Sequence, residues 1–328
     1  MRIGRRTAFL GALAAGLAAR ARAQTPPPDR ALVFPDPQET IDLWPAGAPG
    51  MPASPPREAV RERSTDPAYN DRIVLGVTQP GMTVFRPAHP NGAAVLITPG
   101  GGYSWVVVDK EGYEVARLLA ARGITVFVLF YRLPGDGWAA GPDVALQDAQ
   151  RAMRLIRHRA RHYGVDPAKL CAMGFSAGGH VCADLLTRFA ARTYAPGDAA
   201  DALSARPDAA APIYPVISMS APHAHAGSRR NLLGEAAPPA LERAHSPHLN
   251  VPADAPPCFL LHAEDDASVP VANTLMLHAA LRARGVATEL HLFPDGGHGF
   301  GLRLARGKSV EHWPDLFLAW GRYRRLWP

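Results

Sequence analysis

Seven apolar runs recur along the chain, at 82–86, 93–98, 124–130, 169–173, 209–213, 258–262 and 288–293. Several are unbroken, such as Val95-Leu96-Ile97 and Val126-Phe127-Val128-Leu129, the pattern of parallel strands covered on both faces. Between them apolar residues return at helical spacing over 112–122, 144–163, 176–190 and 271–284, with a last helix at 314–327. Strand and helix alternating in this way predict an α/β fold with a mostly parallel, doubly wound sheet flanked by helices. The alternation breaks at about 218–257, a stretch dense in His, Ser, Arg, Asn and Pro. An insertion of that length at the rim of a sheet is expected to supply a lid or one wall of a pocket. The helix over 144–163 carries Arg151, Arg154, Arg157, Arg159 and Arg161 opposite Ala145, Ala149, Ala152, Met153 and Ile156, which reads as a solvated basic face over an apolar one.

The first residues do not belong to this pattern. Arg2, Arg5 and Arg6 precede an apolar run from Thr7 to Ala19, and Ala21-Arg22-Ala23 ends it as a small-x-small cleavage site. Residues 1–23 are therefore expected to be a signal peptide, the Arg5-Arg6 pair suggesting the twin-arginine route with an ordinary Sec signal as the alternative, and the mature protein to be periplasmic or extracellular without a stable membrane anchor. Losing five arginines and no acids takes the formal charge from +6 to +1. The basic balance thus belongs to the leader, and nothing in the charge calls for nucleic acid or a membrane surface. Residues 24–60 are rich in proline and predict an extended arm ahead of a single large α/β domain at 61–328. Cys171, Cys182 and Cys258 are odd in number and lie in apolar runs, so buried thiols are expected rather than a disulfide framework.

The chemistry lies where runs end. Gly174-Phe175-Ser176-Ala177-Gly178 follows one strand and opens a helix, the context of a nucleophile elbow. Glycines allow the tight turn, and the helix N-terminus beneath Ser176 favours negative charge. A nucleophilic serine needs a base, and the base a carboxylate to orient it. His298, between Gly297 and Gly299, follows the strand at 288–293; Glu264, Asp265 and Asp266 follow the one at 258–262. All these lie past strand C-termini, where open α/β sheets build sites. Pro99-Gly100-Gly101-Gly102-Tyr103 follows the strand at 93–98, and its free amides suit an oxyanion hole made by Gly101 or Gly102 with Ala177. Tyr103 and Trp105 are candidates to line the acyl or sugar site, with packing aromatics the equal alternative. His180 is expected to pack or make a local hydrogen bond; Asp295 is too close to His298 in the loop to orient it. His223 and His225 lack the further ligands of a metal site, so no metal is assigned.

These motifs, with Leu43-Trp44-Pro45-Ala46-Gly47-Ala48-Pro49-Gly50, Tyr131-Arg132-Leu133-Pro134, Asn231-Leu232-Leu233-Gly234 and the stretch from Asp265 to Asn273, resemble the α/β-hydrolase esterases. The likeness covers most of the chain. It is to bacterial acetyl-xylan and feruloyl esterases related to the hormone-sensitive-lipase-like group. Where that group carries His ahead of its glycine run this chain has Pro99, which favours the carbohydrate-esterase side. The resemblance implies Ser176, Asp266 and His298 as the triad, Asp266 standing three residues before Val269-Pro270. It also implies short acyl esters on plant polysaccharides or oligosaccharides as substrates, and no cofactor. A general carboxylesterase, a prolyl-oligopeptidase-like peptidase and a non-catalytic binding protein are the competing readings. The arm is too short for the peptidase's propeller, and the intact candidate residues argue against the binding protein.

Overall fold

The computed structural model describes residues 35–328; the expected signal peptide and the start of the proline-rich arm lie outside them. The strands are β1 (Thr40–Asp42), β2 (Ala59–Glu62), β3 (Arg72–Leu75), β4 (Gly81–Phe85), β5 (Ala94–Thr98), β6 (Val106–Val107), β7 (Thr125–Phe130), β8 (Leu170–Phe175), β9 (Ala209–Ile213), β10 (Cys258–Ala263) and β11 (Thr288–Phe293). The helices are α1 (Glu114–Ala120), α2 (Val144–His158), α3 (Ala160–Tyr163), α4 (Ser176–Arg188), α5 (Ala226–Leu233), α6 (Pro239–Ala244), α7 (Ala272–Ala283) and α8 (Trp313–Tyr323). Eight strands form one sheet in the order β1-β4-β7-β5-β8-β9-β10-β11. β1, β4 and β7 pair antiparallel and the rest parallel; β2, β3 and β6 make a small antiparallel sheet. This is the α/β-hydrolase arrangement, and the seven strands expected from the apolar runs all appear within two residues of their expected bounds.

β5, β8, β9 and β10 are buried along their whole length, because helices cover both faces of the sheet. Two neighbours in its centre carry the chemistry. Register pairs Thr98 with Gly174, which sets the glycine run and the elbow side by side. The Thr98 hydroxyl donates to the Gly178 carbonyl (2.8 Å), and a Cβ on Gly178 would overlap the carbonyls of Thr98 and Pro99. The glycine of the elbow is therefore required by packing as well as by the turn.

Three expectations change. Residues 35–60 are more than an arm: β1 closes one edge of the main sheet against β4, and β2 pairs with β3. The arginines of α2 are not a solvated face. Arg151 is 3% exposed and bonds Asp198 and the Leu43 carbonyl, and Arg154 and Arg157 reach the carbonyls of Leu203 and Arg206, so the row ties down the 190–208 loop. The last helix stops at Tyr323, and Trp327 folds back to donate to the Leu318 carbonyl (2.9 Å), its ring filling the space a Cβ on Gly321 would take. As expected, the three cysteines are free and buried. Burial pushes the Cys182 thiol up to about 12, which leaves it inert near neutrality.

Candidate active site

Strand β8 delivers Ser176 at φ +55°, a left-handed conformation that a non-glycine residue holds only when its surroundings enforce it. The loop after β11 brings His298 to it, with Ser176 Oγ 2.7 Å from His298 Nε2. The loop after β10 brings Asp266, whose Oδ2 lies 2.6 Å from His298 Nδ1. A carboxylate can only accept, so the proton resides on Nδ1 and Nε2 is left to accept from the serine hydroxyl. Burial by itself would raise the Asp266 carboxyl. Donors from His262 and His298, the charge of His298 and the Val269 amide outweigh it and hold the group well below the usual carboxylate range.

The competing acids have other partners. Asp265 accepts from the Gly297 amide (2.7 Å), bracing the histidine loop, and Glu264 is exposed. Asp295 accepts from the Ser309 amide (3.0 Å). His180 is packed away from the serine, but its bonds are not local: Nε2 donates to the His245 carbonyl (2.8 Å), so Nδ1 accepts from the Tyr103 hydroxyl (2.6 Å). Tyr103 is thereby corrected from a lining to a packing residue, since its side chain is 2% exposed and its hydroxyl committed to His180. Trp105 is half-buried against Gly101, where an added Cβ would meet it.

The amides of Gly101 and Gly102 donate to no acceptor among the described residues, while that of Gly100 is taken by Glu111 (2.9 Å). Ala177 lies in the first turn of α4, whose N–H groups have no intrahelical partner. The insertion expected as a wall reaches this loop. Asn231 on α5 donates to the Gly102 carbonyl (2.8 Å) and to Ser104 Oγ (2.7 Å), and Ser228 Oγ lies 4.0 Å from where a Cβ on Gly102 would be. His225 caps α5, its Nδ1 accepting from the Ser228 amide (3.1 Å); burial, then the charge of His298, hold its imidazole below the usual range.

Sequence patterns missed His262, Glu111 and Tyr214. Fully buried His262 points Nε2 at Asp266 Oδ2 (3.2 Å) and the Val269 carbonyl (3.0 Å), with Nδ1 accepting from Thr274 Oγ1 (2.7 Å). Nothing at its position but a histidine four residues before the acid marks it. A cavity of about 360 Å³ lined by Ile41, Arg72, Met82 and Tyr113, among others, holds none of these residues.

The fold defines the class, an α/β-hydrolase. The chain belongs to the BD-FAE family, whose model matches residues 82–281. It is 34% identical over 225 residues to an acetylxylan esterase of Xylanibacter ruminicola, covering 67% of this chain and 43% of that one. It is 37% identical over 220 residues to endo-1,4-beta-xylanase B of Butyrivibrio fibrisolvens, covering 67% and 34%. The chain thus spans less than half the length of both curated relatives. Among solved structures, the acetyl ester-xyloside bifunctional hydrolase of Caldicellulosiruptor lactoaceticus is 33% identical with a TM-score of 0.73, over 89% of this chain and 98% of that one. No helix among the described residues is long and apolar enough to cross a membrane.

Proposed function

We propose that this chain is an exported serine esterase that removes short acyl groups, acetyl or feruloyl, from plant polysaccharides or their oligosaccharides. The observation that carries the chemistry is the continuous chain from Ser176 Oγ through His298 to Asp266, at 2.7 and 2.6 Å. His298 Nε2 takes the serine proton as Oγ attacks the ester carbonyl, and Asp266 stabilises the imidazolium that forms. The oxyanion is held by the amides of Gly101 or Gly102 and of Ala177, each such donor contributing about 3–4 kcal/mol to transition-state stabilisation. His298 returns the proton to the leaving alcohol. It then deprotonates a water that attacks the acyl-enzyme, and the acid leaves as Ser176 is restored. None of these steps calls on a cofactor. The substrate class is supported by the likeness to an acetylxylan esterase and to an acetyl ester-xyloside bifunctional hydrolase. Export is supported by the basic, apolar and small-residue pattern at 1–23.

The test is acetate release from acetylated xylo-oligosaccharides beside p-nitrophenyl acetate, butyrate and octanoate. Release from the sugar and a steep fall beyond butyrate are expected. Ser176→Ala is expected to lower kcat by at least about 10³-fold on every true substrate; retained turnover removes the mechanism. Cleavage of the nitrophenyl esters with the sugars untouched leaves a carboxylesterase of small-molecule esters instead.

A further inference from the structure

Glu111 is 3% exposed and makes no ion pair among the described residues. Its Oε2 accepts from the Gly100 amide at 2.9 Å and its Oε1 from the Tyr214 hydroxyl at 3.1 Å. A buried carboxylate depends on the donors that reach it, and the Gly100 amide and the Tyr214 hydroxyl are the two that hydrogen-bond Glu111 among the described residues. Its backbone is unusual as well: Glu111 lies in a π-helical turn, Asp109–Tyr113, ahead of α1, and such turns cluster at functional sites.

Tyr214 follows β9 with its side chain fully buried and φ +35°, where a bulky residue is strained. Its hydroxyl, besides donating to Glu111, accepts from the Gly301 amide (3.2 Å). Burial, with the Glu111 charge beside it, pushes the phenol well above its usual range, so it remains a donor. The ring stands edge-on to His298 (centroids 5.4 Å apart, 66° between planes) and to Phe300 (4.5 Å). Gly299, next to His298, closes the same cluster: a Cβ there would lie 3.3 Å from Lys110 Nζ and 3.4 Å from Glu111 Oε1.

We propose that Glu111 and Tyr214 are a pair of positioning residues whose carboxylate–phenol bridge fixes the oxyanion loop at Gly100 relative to the His298 loop. The proposal rests on the serine mechanism above. Neither residue touches the reacting atoms. Each holds a different half of the site, one through the Gly100 amide and the other through the Gly301 amide and the edge of the His298 ring. The carboxylate is needed because both of its neighbours donate. A glutamine offers one acceptor oxygen, so its amide would turn the Tyr214 hydroxyl around and leave that proton without a partner.

Steady-state kinetics on p-nitrophenyl acetate for wild type, Ser176→Ala, Glu111→Gln, Tyr214→Phe and the double variant test this, with thermal melts alongside. Misplacement of catalytic groups by about 1 Å costs up to about 10²-fold. Each single variant is therefore expected to lose about 10- to 100-fold in kcat while KM stays within about threefold. The double variant is expected to fall no further than about threefold below the worse single one, as for residues acting through one bridge. Wild-type kcat in both single variants overturns the proposal, as does a double loss equal to the product of the single ones. If those results come with an inactive Ser176→Ala, the serine mechanism stands without the bridge; an active Ser176→Ala removes the mechanism itself. Should Glu111→Gln fail to fold, Tyr214→Phe, which keeps the ring, decides on its own: kcat must fall with KM held, and an unchanged kcat overturns the bridge.

Discussion

Four donors surround the Asp266 carboxylate: the amides of Ser268 and Val269 on Oδ1, and His298 and His262 on Oδ2. They hold its folded pKa below the 3.8 of an unperturbed aspartate, so between the two values the unfolded chain binds the extra proton. The contribution to stability is complete above about pH 4 and is lost as pH falls through the folded value. Asp266→Asn is expected to flatten the slope of unfolding free energy against pH below about 4 and to lower kcat by about 10³- to 10⁴-fold, since the wrong imidazole tautomer is favoured. Urea titrations at stepped pH and steady-state rates measure the two; an unchanged slope removes Asp266 as the ionised partner. His180 runs in a higher window. Burial pushes its imidazole down to about 4 from 6.5, so the unfolded chain protonates first and stability drops as pH falls from about 6.5 to about 4. The shift corresponds to about 3 kcal/mol, to be read as the difference in pH slope between wild type and His180→Gln; equal slopes would place the titration elsewhere. Ser176 and His298 were legible because each has a local signature, a glycine-framed turn at a strand end. His262 is marked only by standing four residues before the acid, and Glu111 and Tyr214 had no signature, because they meet across 103 positions that only the fold brings together.

At the scale of elements, strands five or six residues long and buried on both faces wrote themselves into the sequence as unbroken apolar runs. Strands β1, β2, β3 and β6 are two to four residues long, too short for a period to show. The contact that pins the first of them was visible as two separate motifs. Arg132 is fully buried after β7, bonded through Nη2 to Asp148 of α2 (2.8 Å) and through Nη1 to the Pro49 carbonyl (2.7 Å). Trp44 donates to the same Asp148 carboxylate (2.7 Å), and the guanidinium lies 5.5 Å from the Trp44 ring and 4.8 Å from that of Trp138. The run at 131–134 thus supplies the cation of a buried ion pair with Asp148, and the run at 43–50 fastens onto that pair through Trp44 and the Pro49 carbonyl. Removing one partner strands the other charge in a fully buried site, which costs about 3–5 kcal/mol. Asp148→Ala is expected to lose that much in urea unfolding and to expose the 43–50 segment to limited proteolysis. A loss under about 1 kcal/mol, the value of a surface pair, would mean the segment is held by packing alone.

For the molecule as a whole, the sheet sets strand ends in a row and the loops must then be held to one another across it. Asn273, fully buried in the first turn of α7, does this for the acid loop and the insertion. Its Oδ1 accepts from the amides of Ile217 and Ser218 (2.9 Å each), where the insertion begins, and its Nδ2 donates to the carbonyls of His223 (2.9 Å) and Pro270 (3.0 Å). All four hydrogen bonds an asparagine can make are used, so no substitute of similar size satisfies the same set. The insertion could be recognised from sequence as an interruption at 218–257. How it is fastened could not, because Asn273 lies beyond it and looks there like an ordinary polar residue at a helix start. Asn273→Ala leaves two buried amides without acceptors, at about 1–3 kcal/mol each, and releases the segment leading to His225 and α5, whose Asn231 supports Gly102. Stability is expected to fall by at least about 2 kcal/mol. At temperatures where the variant remains folded, kcat is expected to fall while Ser176 still reacts, because the wall beside the oxyanion loop has lost its tether. Asn231→Ala removes the far end of the same path without touching the buried amides. It is expected to reproduce the kinetic loss with little loss of stability. If Asn273→Ala destabilises the fold and Asn231→Ala leaves kcat at the wild-type value, the insertion contributes to folding alone and the oxyanion loop is set entirely from the sheet.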